Sequence, residues 1–475
     1  VLICPSDVQG VGHFRSIWPA QNLKRYHSDG VDVRIDVSPN TGDVEYLSQF
    51  DIIHFHRAFG PYENSESLFG ELRRRGVKLI MDIDDYWMPP PTHNLHPLII
   101  ADKLNLKIEN NLRLVDVVST TTEIFAEEIR KFNKNVVIIP NGLDMSHQMW
   151  KSQVQPNPSN KLRISWIGGS SHYHDLIKIK DSMELLANDN TLKDRFQFIM
   201  CGFDVRGQVT EMNGDERRVR SIERHETIWL DFERFFTSNY QLIKDDPEYK
   251  KWLLKIENKN YPDLYAKNYV RRWTLPLTQY AKHYDYCDVC IAPLAETYES
   301  KSDKGQISYK LNSFNFFKSE LKLIESGMKH KALIAQDFGV YADLIEHGKT
   351  GLLVNKSDDK KGWYKAIKTL VNNPELREEL AHNLHEFVKD KYDINVVNKK
   401  RVEFYRSLMT EKSASDIKIG QLEDALKKKM LDVVAKEFSE FEVKSELPNS
   451  IKEPVPPPVV DANIVSMSRT EEYID

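Results

Sequence analysis

Residues 136–144 read Val-Val-Ile-Ile-Pro-Asn-Gly-Leu-Asp, a β-branched run that ends at a proline and a glycine. Such a run predicts a short buried strand followed by a turn. It is the last of six similar runs at the start of the chain, and a polar connector with two prolines, residues 153–160, follows it. A second series of strands begins directly afterwards. The stretch therefore predicts the boundary between two similar halves.

Each half alternates short apolar runs with amphipathic stretches. The strands predicted in the first half are residues 1–4, 31–37, 51–56, 77–83, 115–119 and 136–139, with a helix over 64–75. Those predicted in the second half are 162–167, 195–201, 287–292, 331–335 and 350–354, with helices over 174–187, 318–328, 340–347 and 359–371. This alternation predicts an α/β fold of two Rossmann-like halves. Ligands of such sheets bind beyond the carboxyl ends of the strands, so we expect the site in a cleft between the halves.

Three segments interrupt or extend this pattern. We predict an N-terminal domain over 1–150 and a second domain formed by 151–204 and 269–392. Between the two parts of the second domain, the charged and aromatic residues 205–268 predict a helical insertion. A helix over 393–414 is expected to return to the first domain. A charged helix and a proline-rich, flexible tail are expected over 415–475.

Composition excludes several classes of protein. The 475 residues contain 66 Lys and Arg against 71 Asp and Glu, a net charge of −5 that argues against a general polyanion binder. With 40% hydrophobic and 29% charged residues, the chain is typical of globular proteins. No run approaches the roughly 18 apolar residues of a membrane span, and the short apolar start at 1–4 does not predict a signal peptide. The four cysteines are too few for a disulfide scaffold. We therefore expect a cytoplasmic protein without a transmembrane segment.

Two polar clusters follow predicted strands of the first half. The sequence Gly10-Val-Gly12-His-Phe-Arg15 would let a backbone approach a phosphate, although a structural tight turn explains the glycines equally well. The stretch Asp82-Ile-Asp84-Asp85 offers carboxylates either to a divalent cation or to a sugar without metal, and loop capping is a third interpretation.

The second half contains the corresponding positions. The turn Gly168-Gly-Ser-Ser171-His172-Tyr-His-Asp175 suits a phosphate, and the alternative is that His172 and Asp175 only cap the following helix. Further along, three residues share one face of a predicted helix: Lys318, Lys322 and Glu325. A diphosphate requires such cations and ribose hydroxyls require such a carboxylate, but a surface salt bridge gives the same spacing.

Histidines and cysteines elsewhere have simpler explanations. His54 and His56 share one face of a predicted strand, where one core histidine is expected, and a role in the cleft for His56 or Arg57 stays open. Cys287 and Cys290 lie within an apolar strand without a second pair of ligands nearby. We interpret them as buried, unreactive thiols.

Taken together, these segments resemble the retaining, GT-B-fold nucleotide-sugar glycosyltransferases of family four, in particular a bacterial and phage branch. The resemblance covers most of residues 1–410. It is carried by GVGHFR, MDIDDYW, VVIIPNGLD, GGSSHYHD, DVCIAPL, FNFFKSELKLIESG and KALIAQDFGVYADLIEHGKTGLLV, which occur in the family's order.

The resemblance implies roles for individual residues. Glu325 matches the second glutamate of the family's paired-glutamate motif and would bind the donor ribose, whereas the first glutamate is replaced by Phe317. Asp84 takes the place of the family's N-terminal-domain histidine, so Asp84 and Lys318 are the predicted catalytic residues. The residues predicted to bind the donor are Gly12, Arg15, Ser171, His172, Asp175, Asn315, Ser319, Lys322 and Glu325. Since the family's arginine and lysine after the first strand of the second domain are missing, Lys318 and either Arg271 or Arg272 would neutralise the diphosphate.

The activity implied is sugar transfer from a nucleotide-diphosphate sugar to a hydroxyl group, with retention, without a metal and without a cofactor. A glycan or glycolipid is the expected acceptor. Modified DNA bases are the alternative, suggested by basic and aromatic residues of the insertion such as Arg220, Arg224, Trp229 and Trp252. A catalytically inactive scaffold is a third reading. We also expect residues 205–268 or the tail to contact a partner or a second copy.

Overall fold

The computed structural model describes residues 1–26, 30–151, 153–213, 216–239, 242–256, 261–302, 304–355 and 361–410. The tail predicted over 415–475 lies outside these residues, as does the end of the helix predicted over 393–414. No described helix is both long and apolar enough to cross a bilayer.

A six-stranded parallel sheet forms the centre of the first half. Its strands are β1 (Leu2–Cys4), β2 (Arg34–Ile35), β3 (Ile52–His56), β4 (Lys78–Ile83), β5 (Val117–Thr120) and β6 (Val136–Ile138). They run in the order β2-β1-β3-β4-β5-β6, and the chain reverses its direction of winding between β1 and β3. Such a reversal opens a crevice at the carboxyl ends of the two strands.

Helices cover both faces of this sheet. Residues 10–26 form one helix that contains a π-helical turn, His13–Ile17. The other helices are Val44–Leu47, Ser65–Arg74, His96–Ala101, Leu104–Leu114 and Glu123–Ile129, with a 3₁₀ turn at Tyr62–Asn64. Local chemistry sets their ends. Thr122 accepts a hydrogen bond from the backbone N–H of Phe125 as an N-cap, and Gly76, with φ of +82°, follows the helix Ser65–Arg74.

The second half repeats the architecture with additional strands. Its strands are β7 (Leu162–Ile167), β8 (Phe196–Phe203), β9 (Gln208–Asn213), β10 (Glu216–Ser221), β11 (Tyr269–Trp273), β12 (Val289–Ala292), β13 (Thr297–Lys301), β14 (Ile307–Leu311), β15 (Ala332–Gln336) and β16 (Leu352–Val354). Six of them form a parallel sheet in the order β11-β8-β7-β12-β15-β16. Its switch point lies between β7 and β12. The remaining strands form two antiparallel hairpins, β9–β10 and β13–β14.

Helices of the second half lie mostly where the sequence predicts them. They are Tyr173–Ile177, Lys180–Asn188, Ile228–Arg234, Pro247–Lys255, Ser313–Phe316, Leu321–Met328, Val340–Leu344, Gly362–Asn372 and Pro374–Lys389, with 3₁₀ turns at Ser170–His172, Arg224–Glu226, Leu264–Ala266 and Tyr280–Tyr286 and a π-helical turn at Phe235–Asn239. The single helix predicted over 174–187 is interrupted between Ile177 and Lys180. The helix predicted from residue 318 begins at Leu321.

The insertion over 205–268 is of mixed structure and not simply helical as predicted. Its first part is the hairpin β9–β10, and the sequence contains a hairpin signal there, the dipeptide Asn213-Gly214. Its second part contributes two helices that pack on the edge of the sheet. Strand β11 is not among the predicted strands. Its two arginines interrupt the apolar run from which a strand would be predicted.

Two segments of the chain pass between the halves, and they lie side by side. The backbone N–H of Leu143 donates to the Tyr392 carbonyl, and that of Ile394 donates to the Leu143 carbonyl, both at 2.9 Å. Residues 394–410 form a helix that packs on the first sheet, where the Tyr405 hydroxyl lies 2.7 Å from His54 Nδ1.

Candidate active site

A cavity of about 380 Å³ lies where the carboxyl ends of the two sheets face each other. The first half contributes Gly10, Val11, Asp84 and Asp85, and the second contributes the Gly168–Gly169 turn with residues from four further segments. Those residues include Gly202, Thr274, Leu275, Leu277, Tyr280, His283, Lys318, Ser319, Lys322, Glu325 and Tyr341. The predicted cleft is therefore present, and it gathers side chains that are up to 331 positions apart (341 − 10) in the sequence.

Lys318, Lys322 and Glu325 all face this cavity. Lys322 donates from Nζ to the Ile167 carbonyl at the end of β7, and Lys318 Nζ lies 4.5 Å from the centre of the Phe314 ring. Among the described residues, the three make no ion pair with one another. Their spacing therefore does not reflect a surface salt bridge. The three side chains instead line one cavity.

The electrostatics of this wall follow from burial. Burial and the neighbouring charge of Lys318 lower the pKa of Lys322 to about 8. Burial also raises the pKa of Glu325 well above its usual range. The Tyr284 hydroxyl donates to Glu325 Oε2 at 2.6 Å and holds the carboxyl group in place. Such a pair of cations beside a fixed carboxyl group suits a diphosphate and a ribose.

Glycine is required where the second sheet approaches the cavity. Gly202, at the end of β8, has φ of +98°, and a Cβ there would lie 2.4 Å from the Gly168 carbonyl oxygen. A side chain at this position would push the two strand ends apart. The close approach leaves backbone exposed to the cavity at Gly168 and Gly169.

His172, Asp175 and Asn315 form a hydrogen-bonded unit at the edge of the cavity. His172 Nδ1 lies 2.7 Å from Asp175 Oδ2, and the other oxygen of Asp175 accepts from the Ala295 N–H at 2.7 Å and from Asn315 Nδ2 at 2.6 Å. Asp175 thus ties the start of a helix to the segment after β12 and does not cap that helix. Of the unit, only His172 lines the cavity; Asp175, Asn315 and Ser171 face a neighbouring groove.

The three aspartates at the end of β4 have different environments: Asp82 lies within the strand, and Asp84 and Asp85 follow it. Asp84 Oδ1 accepts from His56 Nε2 at 2.9 Å and from Arg57 at 3.2 Å, and Asp85 accepts from the same arginine at 3.2 Å. Burial alone would raise the pKa of Asp84, but the charges of Arg57 and His56 outweigh it and hold that pKa well below its usual range. Asp84 is therefore a carboxylate at neutral pH. Arg57 adopts φ of +65°, a strained conformation of the kind that occurs at functional sites.

Asp82 and Arg15 are paired in the core and do not line the cavity. Arg15 donates from Nε and Nη2 to the two carboxylate oxygens of Asp82 at 2.9 and 2.7 Å, and both residues are buried. Its third contact is Asn141 at 3.3 Å. The structure thus does not bring Arg15 to the donor as predicted, because its guanidinium is already paired within the core.

Gly12 also has a structural role in place of the predicted phosphate contact. Its N–H donates to Asp7 Oδ1 at 3.1 Å, and a Cβ there would lie 1.8 Å from the Asp7 carbonyl oxygen. The segment at Asp7 can approach the start of the first helix this closely only at a glycine. Gly10 and Val11, which directly precede Gly12 in the helix, line the cavity.

Other candidate residues lie away from the cavity. Arg271 is buried in an ion pair with Glu233 of the insertion at 2.9 Å, and Arg272 lies 3.4 Å from the centre of the Tyr286 ring. Neither arginine lines the cavity. The lysines that line it are Lys318 and Lys322. His54 is a core histidine as expected, between Tyr405 and Ser119. Cys287 and Cys290 are buried, in agreement with the interpretation as structural thiols.

Three solved structures with the same fold each match 86% of this chain. HepE of Anabaena in complex with UDP and glucose is 13% identical, with 91% of its chain covered and a TM-score of 0.50. A glycosyltransferase from Rickettsia africae is 13% identical, with 98% covered and a TM-score of 0.52. Sucrose-phosphate synthase from Thermosynechococcus elongatus is 13% identical, with 99% covered and a TM-score of 0.52. No protein-family model and no curated protein matches the sequence.

At this level of identity the likeness shows the fold. The predicted GT-B architecture, two Rossmann-like halves that face each other across a cleft, is confirmed by these matches and by the two six-stranded parallel sheets.

Proposed function

We propose that this protein transfers a sugar from a nucleotide-diphosphate sugar to an acceptor hydroxyl group. The observation that carries the proposal is one cavity that unites Lys318, Lys322 and Glu325 of the second half with the Asp84 carboxylate of the first. Cations suit a diphosphate, a buried carboxyl group suits ribose hydroxyls, and a carboxylate opposite them suits a sugar that develops positive charge. The UDP and glucose bound to the similarly folded HepE support a nucleotide-sugar donor.

The proposed chemistry is displacement at the anomeric carbon. The bond from that carbon to the diphosphate breaks, the acceptor oxygen takes its place, and the acceptor proton passes to the departing phosphate. Lys318, Lys322 and the Ser319 hydroxyl would stabilise the negative charge of the leaving group. Asp84, kept ionised by Arg57 and His56, would stabilise the oxocarbenium character of the sugar. Retention of configuration and independence of metals and other cofactors belong to this proposal, as does a cytoplasmic location.

A nucleotide-binding protein without turnover is the second candidate. Phe317 stands where the related motif has a glutamate, and its ring packs 5.4 Å from Phe125 and 5.3 Å from Tyr86 of the first half. This position therefore contributes packing between the halves and no polar group. The presence of both Asp84 and Lys318 in one cavity favours the catalytic alternative.

The structure gives less support to a DNA-modifying enzyme. Trp229 is buried in the core of the second half, and Trp252 packs against that core. Arg220 is paired with Glu211 and Glu226. These side chains are engaged in contacts within the second half and are not arranged for stacking on bases.

The test is a combined thermal-shift and nucleotide-release screen of the full chain against UDP-, GDP-, ADP-, CDP- and dTDP-sugars, with and without EDTA. Stabilisation by one donor together with slow release of its nucleotide is expected. Binding without release would favour the protein without turnover, and no response to any donor would overturn the proposed function.

A further inference from the structure

Two cavity residues of the second half, Lys318 and Ser319, are flanked in the sequence by residues that contact the first half. Phe317, which precedes them, packs against two aromatic rings of the first half. Glu320, which follows them, accepts at Oε1 from the backbone N–H of Asn141 at 2.8 Å. The position of the two cavity residues relative to the first half is therefore fixed on both sides.

The Glu320 side chain is not explained by its own helix. Only 1% of the residue is exposed, and it occupies the N-cap position of the helix Leu321–Met328. Its side chain does not cap that helix. Among the described residues, Oε2 has no hydrogen-bond partner. Since burying a carboxyl group is costly, the contact that Oε1 makes with the other half is the structural reason for its presence.

Asn141 continues this contact into the core of the first half. Its Oδ1 accepts from Arg15 Nη1 at 3.3 Å. Arg15 in turn donates to both carboxylate oxygens of Asp82, at 2.9 and 2.7 Å. Asp82 lies in β4, and Asp84 directly follows that strand. A series of hydrogen bonds thus runs from Glu320 to the strand that ends at Asp84.

Arg15 and Asn141 come from two sequence motifs, GVGHFR and VVIIPNGLD, that the proposed chemistry does not use. Both residues are buried, and neither lines the cavity. A residue that does not reach the ligand still affects a reaction when it fixes the distance between the groups that do. Their place in this series gives both motif residues such a role.

The contact between Glu320 and Asn141 does not require a charged carboxylate. Burial raises the pKa of Glu320 to about 7, against the opposing effects of hydrogen bonds to backbone N–H groups and of the charge of Arg15. An oxygen of the carboxyl group can accept from the Asn141 N–H whether or not the group is protonated. Glu320→Gln therefore keeps an acceptor without the charge, whereas Glu320→Leu removes the acceptor.

We propose that Glu320 is a positioning residue whose contact with Asn141 fixes the separation of Lys318 from Asp84 across the cavity. The inference rests on the proposed glycosyltransfer and adds a residue that aligns its two sides. Glu320 does not line the cavity, so it acts through the cavity residues and not on the substrate. Alignment matters because a cation beside the diphosphate and a carboxylate beside the sugar must act on the same bond.

The first measurement reports the separation of the halves and does not depend on turnover. Spin labels are attached to Arg74→Cys in the first half and Lys349→Cys in the second half of the full chain, and pulsed EPR measures the distance distribution between them. The side chains of Arg74 and Lys349 are 73% and 61% exposed. The four native cysteines are buried and do not compete for the label.

Asp116→Leu is the matched control. Asp116 Oδ2 also accepts from a backbone N–H, that of Leu79 at 2.7 Å, but both residues belong to the first half. Asn141→Ala, which removes the acceptor of Arg15, tests the same series if Glu320→Leu does not fold. Urea unfolding of each variant shows which of them are folded.

Glu320→Leu and Asn141→Ala are expected to broaden the distance distribution, and Glu320→Gln and Asp116→Leu to leave it unchanged. Turnover should be about tenfold lower in Glu320→Leu and largely restored in Glu320→Gln. Nucleotide affinity should change less than about twofold, because the proposed diphosphate and ribose contacts all belong to the second half.

An unchanged distribution in Glu320→Leu, or in Asn141→Ala where only that variant folds, overturns the proposal. Equal broadening in Asp116→Leu also overturns it, as does normal turnover in Glu320→Leu. If the wild type binds donors but releases no nucleotide, the proposed function fails, while the distance distributions still decide whether Glu320 holds the two halves in place.

Discussion

The Tyr284 hydroxyl lies 2.6 Å from Oε2 of Glu325, a residue that lines the candidate active-site cavity. Tyr284 comes from a 3₁₀ turn before β12, and Glu325 comes from the helix Leu321–Met328. Both side chains are buried, so this contact fixes the carboxyl group that is proposed to bind ribose.

Replacing Tyr284 with Phe should weaken nucleotide binding about tenfold, because Glu325 loses the donor that orients it. The maximal turnover rate should change much less, since the contact is remote from the proposed reacting atoms. Isothermal titration with the nucleotide found in the screen measures this. Tyr249→Phe is the control: it also deletes a buried hydroxyl, which donates to the Tyr269 carbonyl away from the cavity. An equal loss of affinity in both variants would show a general effect on stability.

Removing the charge of Lys318 should affect the chemical step. We expect Lys318→Met to lower kcat/KM for the donor by about a hundredfold or more, as the leaving diphosphate loses a cation within the cavity. Steady-state nucleotide release measures the effect. Lys349→Met, which changes an exposed lysine paired with Glu346, should leave the rate unchanged. Normal turnover of Lys318→Met would remove the assignment of Lys318 to the diphosphate.

Nucleotide affinity should depend on pH through Lys322. Its pKa of about 8 means that the free protein loses this positive charge as the pH rises from roughly 7 to roughly 9, so affinity for the diphosphate should fall over that interval. In Lys322→Arg, which stays charged, the decline should be much smaller. Titrations of both proteins across this range make the comparison. A decline of the same size in Lys322→Arg would assign the effect to another group.

Chelation of metals should not abolish activity. Both oxygens of Asp82 are held by Arg15, and Asp84 accepts from His56 and Arg57, so these two carboxylates at the end of β4 already have partners. Release assays with EDTA, with and without added Mg²⁺, test this expectation. Complete loss with EDTA that Mg²⁺ restores would favour a metal site at Asp84 and Asp85.

The fold should lose stability in mild acid through His54. Burial lowers the pKa of His54 to about 3, against about 6.5 for an ordinary histidine. As the pH falls below about 6.5, the unfolded chain takes up the proton and the folded chain does not, so folding loses about 2 kcal/mol near pH 5. In His54→Gln the change in the free energy of unfolding between pH 7 and pH 5, measured with urea, should shrink by about that amount. His382→Gln, at an exposed histidine, should retain the full change.

Much of the fold follows from local pattern. The run at 162–167 coincides with β7 and the run at 51–56 differs from β3 by one residue, because parallel strands buried on both faces are rich in apolar residues. Strand β11 is different. Arg271 interrupts its apolar run, and that charge is tolerated because Glu233, 38 positions earlier, neutralises it.

The candidate site likewise contains residues that the sequence predicts and residues that it does not. Sequence motifs and the resemblance to a known family predicted Asp84, Lys318, Lys322 and Glu325 as site residues, and the fold brings these four to one cavity. Tyr284 carried no such signal, because a tyrosine in a 3₁₀ turn becomes significant only through its contact with Glu325.

Periodicity and the order of elements were enough to predict two α/β halves and the end of each sheet where a ligand site is expected. Which charged groups remain available at those ends depends on contacts that form only when the chain folds. Arg15 is 67 positions from Asp82 in the sequence. Because the two residues pair in the core, Arg15 does not line the cavity, although the motif GVGHFR predicts that it binds the donor. A buried charge must be neutralised by a partner, and only folding selects which distant residue provides it.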